Sequence, residues 1–117
     1  MREVLKELNT LPGIKGSLVV TPDGIVVSSE ISNELDEDTT AALVGNVETQ
    51  TVRLLDIGKY DEMDRMVLTA SRGKIVIQNL ENCHLVVVTN QFINIYLTLL
   101  EITSAATKIR ELGKLSV

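Results

Sequence analysis

Aromatic residues are nearly missing from this 117-residue chain, which has one Phe, two Tyr and no Trp. Its core must therefore be aliphatic. Cysteine and histidine are as scarce, one of each, at the adjacent positions Cys83 and His84. A lone Cys excludes an intrachain disulfide and suits a reducing, cytosolic compartment. Neighbours on a strand point to opposite faces, which argues against a Cys–His nucleophilic pair and for two structural residues at the mouth of a strand. No apolar run approaches the roughly 18 residues of a membrane span. The opening MREVLKEL is a charged, amphipathic helix start, without the apolar stretch of a signal peptide. Apolar residues nevertheless make up 44% of the chain. With no membrane to enter, that excess points to a protein–protein interface.

Basic clusters are absent too. The formal net charge is −5, and Lys and Arg are scattered singly or in pairs, which argues against nucleic acid as a partner. No phosphate-binding Gly-x-x-x-x-Gly-Lys-Ser/Thr loop occurs; Gly13-Ile14-Lys15-Gly16-Ser17 has the residue types but opens a strand rather than a helix. No linker, low-complexity tract or internal repeat divides the chain, so residues 1–117 read as one domain.

What is present is organised around Leu11–Ser29, LPGIKGSLVVTPDGIVVSS. Two apolar runs, Ile14–Thr21 and Ile25–Ser29, flank Pro22-Asp23-Gly24. Pro presets φ, Asp bonds the backbone ahead of it, and Gly accepts φ > 0, so the pattern predicts an antiparallel hairpin. Ile14, Gly16, Leu18 and Val20 should share one face, and Ser17, Val19 and Thr21 the other. Apolar residues on both faces predict a sheet covered on both sides. Before the hairpin, Val4/Leu5, Leu8 and Leu11 give a short helix over Arg2–Asn9 one buried stripe.

After it, Asn33–Asp38 reads as a loop and helix start, with Asp36, Glu37 and Asp38 placed against the positive end of a helix dipole rather than as a metal cluster. A long helix follows from about Asp36 to Gly58. Its expected core stripe is Val44, Val47, Thr51, Leu54 and Leu55, and Gly58 takes the C′ position. Beside that stripe lies a row of small residues, Ala42, Gly45 and Thr49, followed by Val52. An interior Gly costs roughly 0.5–1 kcal/mol relative to Ala. Either another helix approaches closely here, or Gly45 lies under a strand of its own chain. Opposite the stripe, Arg53, with Asp56 one turn on, is open to solvent.

Asp61, Glu62 and Asp64 form a polar loop that lacks the Gly and terminal Glu of a calcium loop. Three strands should follow, Arg65–Ser71, Ile75–Leu80 and Cys83–Thr89, joined by turns at Arg72-Gly73-Lys74 and Glu81-Asn82. Leu85-Val86-Val87-Val88 is continuously apolar and suits a central strand. Arg65–Ser71, with its Thr and Ser, suits an exposed edge that invites pairing. A last helix from about Asn94 to Leu112 carries Ile95, Leu99, Ile102, Ala106 and Ile109 inward, closed by Gly113.

The order α-β-β-α-β-β-β-α resembles that of the Roadblock / dynein light chain family over nearly the whole chain. The resemblance rests on Leu11-Pro12-Gly13-Ile14, Gly16, Val19-Val20, Pro22-Asp23-Gly24 with Ile25-Val26-Val27, the LVVV strand and Ala105-Ala106 in the last helix. It is nearest to the stand-alone gliding-motility regulators of prokaryotes. It implies a profilin-like α/β sandwich with sheet order 2-1-5-4-3, one helix on one face and two on the other. It also implies a homodimer, made by pairing third strands (Arg65, Met66, Val67, Leu68, Thr69, Ala70 and Ser71) and second helices (Ala42, Gly45, Thr49 and Val52). The partner implied is a small Ras-like GTPase, docked on a helix surface of Asn46, Arg53 and Asp56. Arg53 could serve as an arginine finger, but the family resemblance implies rearrangement of the GTPase's own switch residues. The expectation is a cytoplasmic, non-enzymatic regulator with no cofactor and no membrane insertion; the alternative is a scaffold subunit.

Overall fold

The computed structural model describes residues 1–31 and 36–115. Eight elements follow one another: α1 (Arg2–Asn9), β1 (Ile14–Val20), β2 (Val26–Ile31), α2 (Glu37–Gly58), β3 (Arg65–Ala70), β4 (Gly73–Asn79), β5 (His84–Asn90) and α3 (Ile95–Leu115). The strands form one antiparallel sheet in the order β2-β1-β5-β4-β3. This is the expected topology, with the LVVV strand in the middle and β3 at an edge.

Alternation along β1 puts Val19 in a core with α1 and α3, which supply Leu5, Leu8, Ile102, Ala106 and Ile109. Leu18 and Val20 face the opposite way, into a second core with Ala41 and Val44 of α2. Two helices on one face and one on the other explain why β1 and β5 are apolar on both sides. Ser17 is fully buried on the α1 side, and its hydroxyl donates to the Asn9 side-chain oxygen at 2.7 Å. One facing expectation fails: Ile14 packs with the α1–α3 core, because the register shifts between Ile14 and Gly16. A bulge inserts one residue and flips the face of whatever precedes it.

The Pro22-Asp23-Gly24 turn forms as expected. Gly24 has φ +89°, and the Thr21 hydroxyl accepts from the Ile25 N–H at 3.0 Å. The next turn is shorter than the sequence suggests. Ser71 lies in the turn rather than in β3, and Gly73 and Lys74 already belong to β4, opposite Ala70 and Thr69. Gly73 is required there by close packing: a Cβ would stand 2.3 Å from the Thr89 carbonyl oxygen. The following strands also begin early or late by a residue or two, β4 ending at Asn79 and β5 starting at His84.

Helix ends show the same mixture. Asp36 is the N-cap of α2, its carboxylate accepting from the Thr39 N–H at 3.1 Å, which holds the Asp36 carboxyl below the ordinary range. Residues 33–35 of the expected loop lie outside the described residues. Asn94 caps α3 by accepting from the N–H groups of Tyr96 and Leu97. At the C-terminus of α2 the left-handed residue is Lys59 (φ 59°), and Gly58 is the last helical residue instead of C′. Gly58 serves the Tyr60 ring, which a Cβ would meet at 2.6 Å. Gly113 likewise does not close α3, which continues to Leu115; a glycine within a helix is tolerated at a cost of about 1 kcal/mol.

Candidate functional site

The two helical layers are not equally closed. Along α2 only Ala41, Val44 and Gly45 are buried. The inward stripe runs Ala41, Val44, Glu48, Thr51 and Leu55, at alternating steps of three and four. It passes through a charged residue, and Leu54, expected in the core, is 68% exposed. A residue next to Leu55 is rotated about 100° from it, which carries Leu54 off the buried face.

The same rotation assembles a surface that the sequence reading missed. Leu43, Gln50, Leu54 and Ile57 follow one another at steps of seven, four and three, the spacing of a helix-pairing seam, beside Val47, which is half-buried against the α2-side core as expected. Leu43 is 60% exposed, Leu54 68% and Ile57 79%. The heptad spacing is present in the sequence, but the adjacent Leu54-Leu55 pair masks which of the two faces inward.

The small row behaves differently. Gly45 is buried against the β1–β2 turn, where a Cβ would stand 3.0 Å from the Gly24 Cα and nitrogen. Its lack of a side chain is used within the chain, so the intrachain alternative accounts for it. Ala42, Thr49 and Val52 are exposed on the helix flank beside it. Asn46, Arg53 and Asp56 are exposed as well.

At the sheet edge, β3 pairs with β4 on one side only. Val67, Leu68, Thr69 and Ala70 are exposed, while Arg65 and Met66 are half-buried. Arg65 is held in place, donating from Nε to Gln78 at 2.6 Å and from Nη2 to the Thr103 hydroxyl at 2.7 Å. It anchors β3 to α3. Ser71, in the turn, is exposed.

Below the C-terminal half of α2 lies a cleft of about 640 Å³, bounded by Pro22, Val52, Leu55, Met63, Asn79 and His84 among others. Its polar floor is Glu48 and His84, whose side chains are 15% and 5% exposed, with His84 Nε2 3.4 Å from Glu48 Oε1. Cys83 stands beside His84 in sequence but packs against the α1–α3 core, and partial burial pushes its thiol up from the ordinary value. The two residues face different layers, Cys83 the α1–α3 core and His84 the Glu48 side chain of α2. Among the described residues, no three His, Cys, Asp or Glu side chains are grouped to hold a metal ion. No helix among them is long and apolar enough to cross a membrane.

Comparison with known proteins agrees with this architecture. An uncharacterized protein of Methanocaldococcus jannaschii is 29% identical over 107 residues, covering 92% of this chain and 94% of that protein. The structure of Myxococcus xanthus MglB superposes with a TM-score of 0.91 at 16% identity, over 97% of this chain and 94% of that one. The gliding protein MglB of Thermus thermophilus gives 0.85 at 20% identity, over 96% of this chain and 87% of that one. The family model of the Roadblock/LC7 domain matches residues 1–89. The chain therefore belongs to the Roadblock/LC7 domain family.

Proposed function

We propose that this chain is a homodimeric Roadblock module that binds and regulates a small Ras-like GTPase through its paired second helices. One observation carries the reading: α2 presents an apolar heptad seam, Leu43, Leu54 and Ile57, that its own chain leaves largely in water. Fully burying one such side chain is worth about 1.5–3 kcal/mol. An unpaired strand edge with Val67 and Leu68 exposed adds main-chain donors and acceptors to the same demand. A second copy meets both demands at once, pairing β3 with β3 and laying α2 beside α2.

On this reading Arg53, Asn46 and Asp56 face outward from the paired helices and form the docking surface. The membership in the Roadblock/LC7 family supports a regulatory role in general, and the likeness to MglB structures makes a GTPase the partner to try first. The module contributes no catalytic group of its own. Its leverage is its difference in affinity for the two nucleotide states, because a partner shifts a conformational equilibrium only by that difference.

The test is binding of the purified chain to the Ras-like GTPase encoded nearest to it, loaded with a GTP analogue and separately with GDP. A preference for one state supports the regulator and calls for a turnover assay with Arg53→Ala. That substitution should weaken binding modestly and leave the fold intact. Equal binding to both states, or none, contradicts the regulator and favours a scaffold that holds other subunits together.

A further inference from the structure

The face of the sheet that carries α1 and α3 is closed over its centre but open at the β3 edge. Cross-strand partners share a face. Val67 stands opposite Val76, a member of the α1–α3 core, and Thr69 stands opposite Lys74. Arg65, Val67, Thr69 and Lys74 therefore project on the α3 side, while Met66 packs into the other core. Yet Val67 and Thr69 are exposed. α3 packs over Val76 of β4 and over Leu85 and Val87 of β5, and the Arg65 side chain spans the remaining gap from β3 to Thr103.

That contact identifies the flank of α3 that looks over β3. Tyr96 and Arg110 lie two turns to either side of Thr103 and share its flank, with Leu100 one turn after Tyr96. Tyr96 is 80% exposed and Leu100 68%, although large apolar and aromatic side chains in water are the mark of an interface. The charges on this flank have one sign. Arg65, Lys74 and Arg110 are all basic, in a chain of net charge −5. The hydrogen-bond partners of Arg65, Gln78 and Thr103, are neutral and leave its charge standing. Asp64 alternates to the opposite face, Glu101 turns toward α1, and Glu111 stands one helix step round from Arg110.

We propose that the dimer binds one amphipathic helix of a partner protein between its two α3 helices, apolar stripe inward and acidic residues on the flanks. The inference rests on the homodimer proposed above, because one copy supplies only half of the site. Pairing β3 with β3 puts two uncovered strands side by side, with an α3 beyond each. At roughly 4.8 Å per strand, the two α3 axes then stand about four spacings, or roughly 19 Å, apart. Packed helices lie about 8–10 Å from each other, so the gap admits one helix in contact with both walls. Val67 from each copy makes an apolar floor, and Tyr96 and Leu100 make the walls. The basic flanks of both copies select acidic residues on the incoming helix. This groove is on the opposite face of the sheet from α2, so a GTPase docked on α2 does not compete for it.

The probes are two blocked peptides of about 18 residues, roughly 27 Å of helix. Both carry the same leucine stripe at heptad a and d positions; one has Glu on its flanks, the other Lys. Calorimetric titration of the full chain, with its mass followed by light scattering, should show the Glu peptide binding saturably at one per two chains. The Lys peptide should bind about tenfold more weakly or worse. Leu100→Ala, at an exposed position, should leave the dimer mass unchanged and weaken the Glu peptide about tenfold. Leu54→Glu, on the opposite face, should lose the peptide together with the dimer. A dimer that binds neither peptide, binds both equally, or takes one per chain overturns the groove and leaves the homodimer standing. Unchanged affinity in Leu100→Ala puts the peptide elsewhere, and full affinity in a monomeric Leu54→Glu shows that two copies are not needed; either overturns the groove. A four-chain mass without peptide overturns the choice of occupant in favour of a second dimer. A natural chain that is monomeric throughout overturns the homodimer and the groove with it.

Discussion

The two faces of the sheet solve the same packing problem to different extents. On one face α1 and α3 close over β1, β4 and β5, with Leu5, Val19, Val76, Leu85, Val87 and Ile102 all fully buried. On the other, α2 runs for 22 residues yet buries only Ala41, Val44 and Gly45. Its first half is fastened to the β1–β2 turn through Gly45 and Gly24. The second half stands over the cleft and shows Leu54 and Ile57 to solvent. A face that is finished within the chain supplies stability; the one left unfinished is where the proposed dimer would form. The difference teaches where to look for function in this small domain.

The sharpest way to break this comparison is to cut into the finished face. Leu85→Ala removes a fully buried side chain from the central strand, and should cost about 2–5 kcal/mol in denaturant unfolding. A cost under about 1 kcal/mol would mean that this core is not the stable half. A smaller effect is expected where α2 meets the hairpin turn. Gly45→Leu drives side-chain atoms against the Gly24 backbone, already only 3.0 Å from a Cβ position, and should destabilise by about 1–3 kcal/mol as overpacking does. If stability held and only self-association fell, Gly45 would belong to the seam after all.

The smallest effect concerns the start of α2. The Thr39 N–H holds the folded Asp36 carboxyl below its ordinary value. A group lowered in the folded state stabilises above its unfolded pKa, and that contribution disappears as pH falls through the folded value. The stability difference between the natural chain and Asp36→Ala should therefore be present at neutral pH. It should shrink on acidification from about pH 4 downward, as followed by urea melts. A difference constant with pH would show that the carboxylate is not the capping group.

Most of the fold was legible because its signals are local and repeated. Alternation along β1, the Pro-Asp-Gly turn and the three-four spacing of α3 each determine an element without reference to the others. What misled was punctuation by glycine. Gly58 and Gly113 suggested helix ends, but the former makes room for Tyr60 and the latter lies within α3. The left-handed position fell to Lys59, a residue with no sequence signal for it.

The site was less legible for a physical reason. Whether an apolar residue on an amphipathic helix faces the sheet or the solvent depends on a rotation of about 100° per residue, and Leu54 and Leu55 are neighbours. Assigning both to the core hid the seam. Edge status for β3 came through because its composition reflects exposure on that side. The approach of Glu48 to His84 joins α2 to β5 through tertiary folding, and nothing in either local sequence announces it.

The account turns on whether the unfinished face is used for self-association. The most direct measurement is the mass in solution of the natural chain and of Leu54→Glu, by light scattering across a dilution series. Leu54 is exposed, so the substitution should leave the fold and its unfolding transition nearly unchanged. The account predicts twice the 12.8 kDa chain mass for the natural protein and a shift to monomer for the variant. A natural chain that is monomeric throughout, or a variant that dimerises as well as its parent, would contradict it.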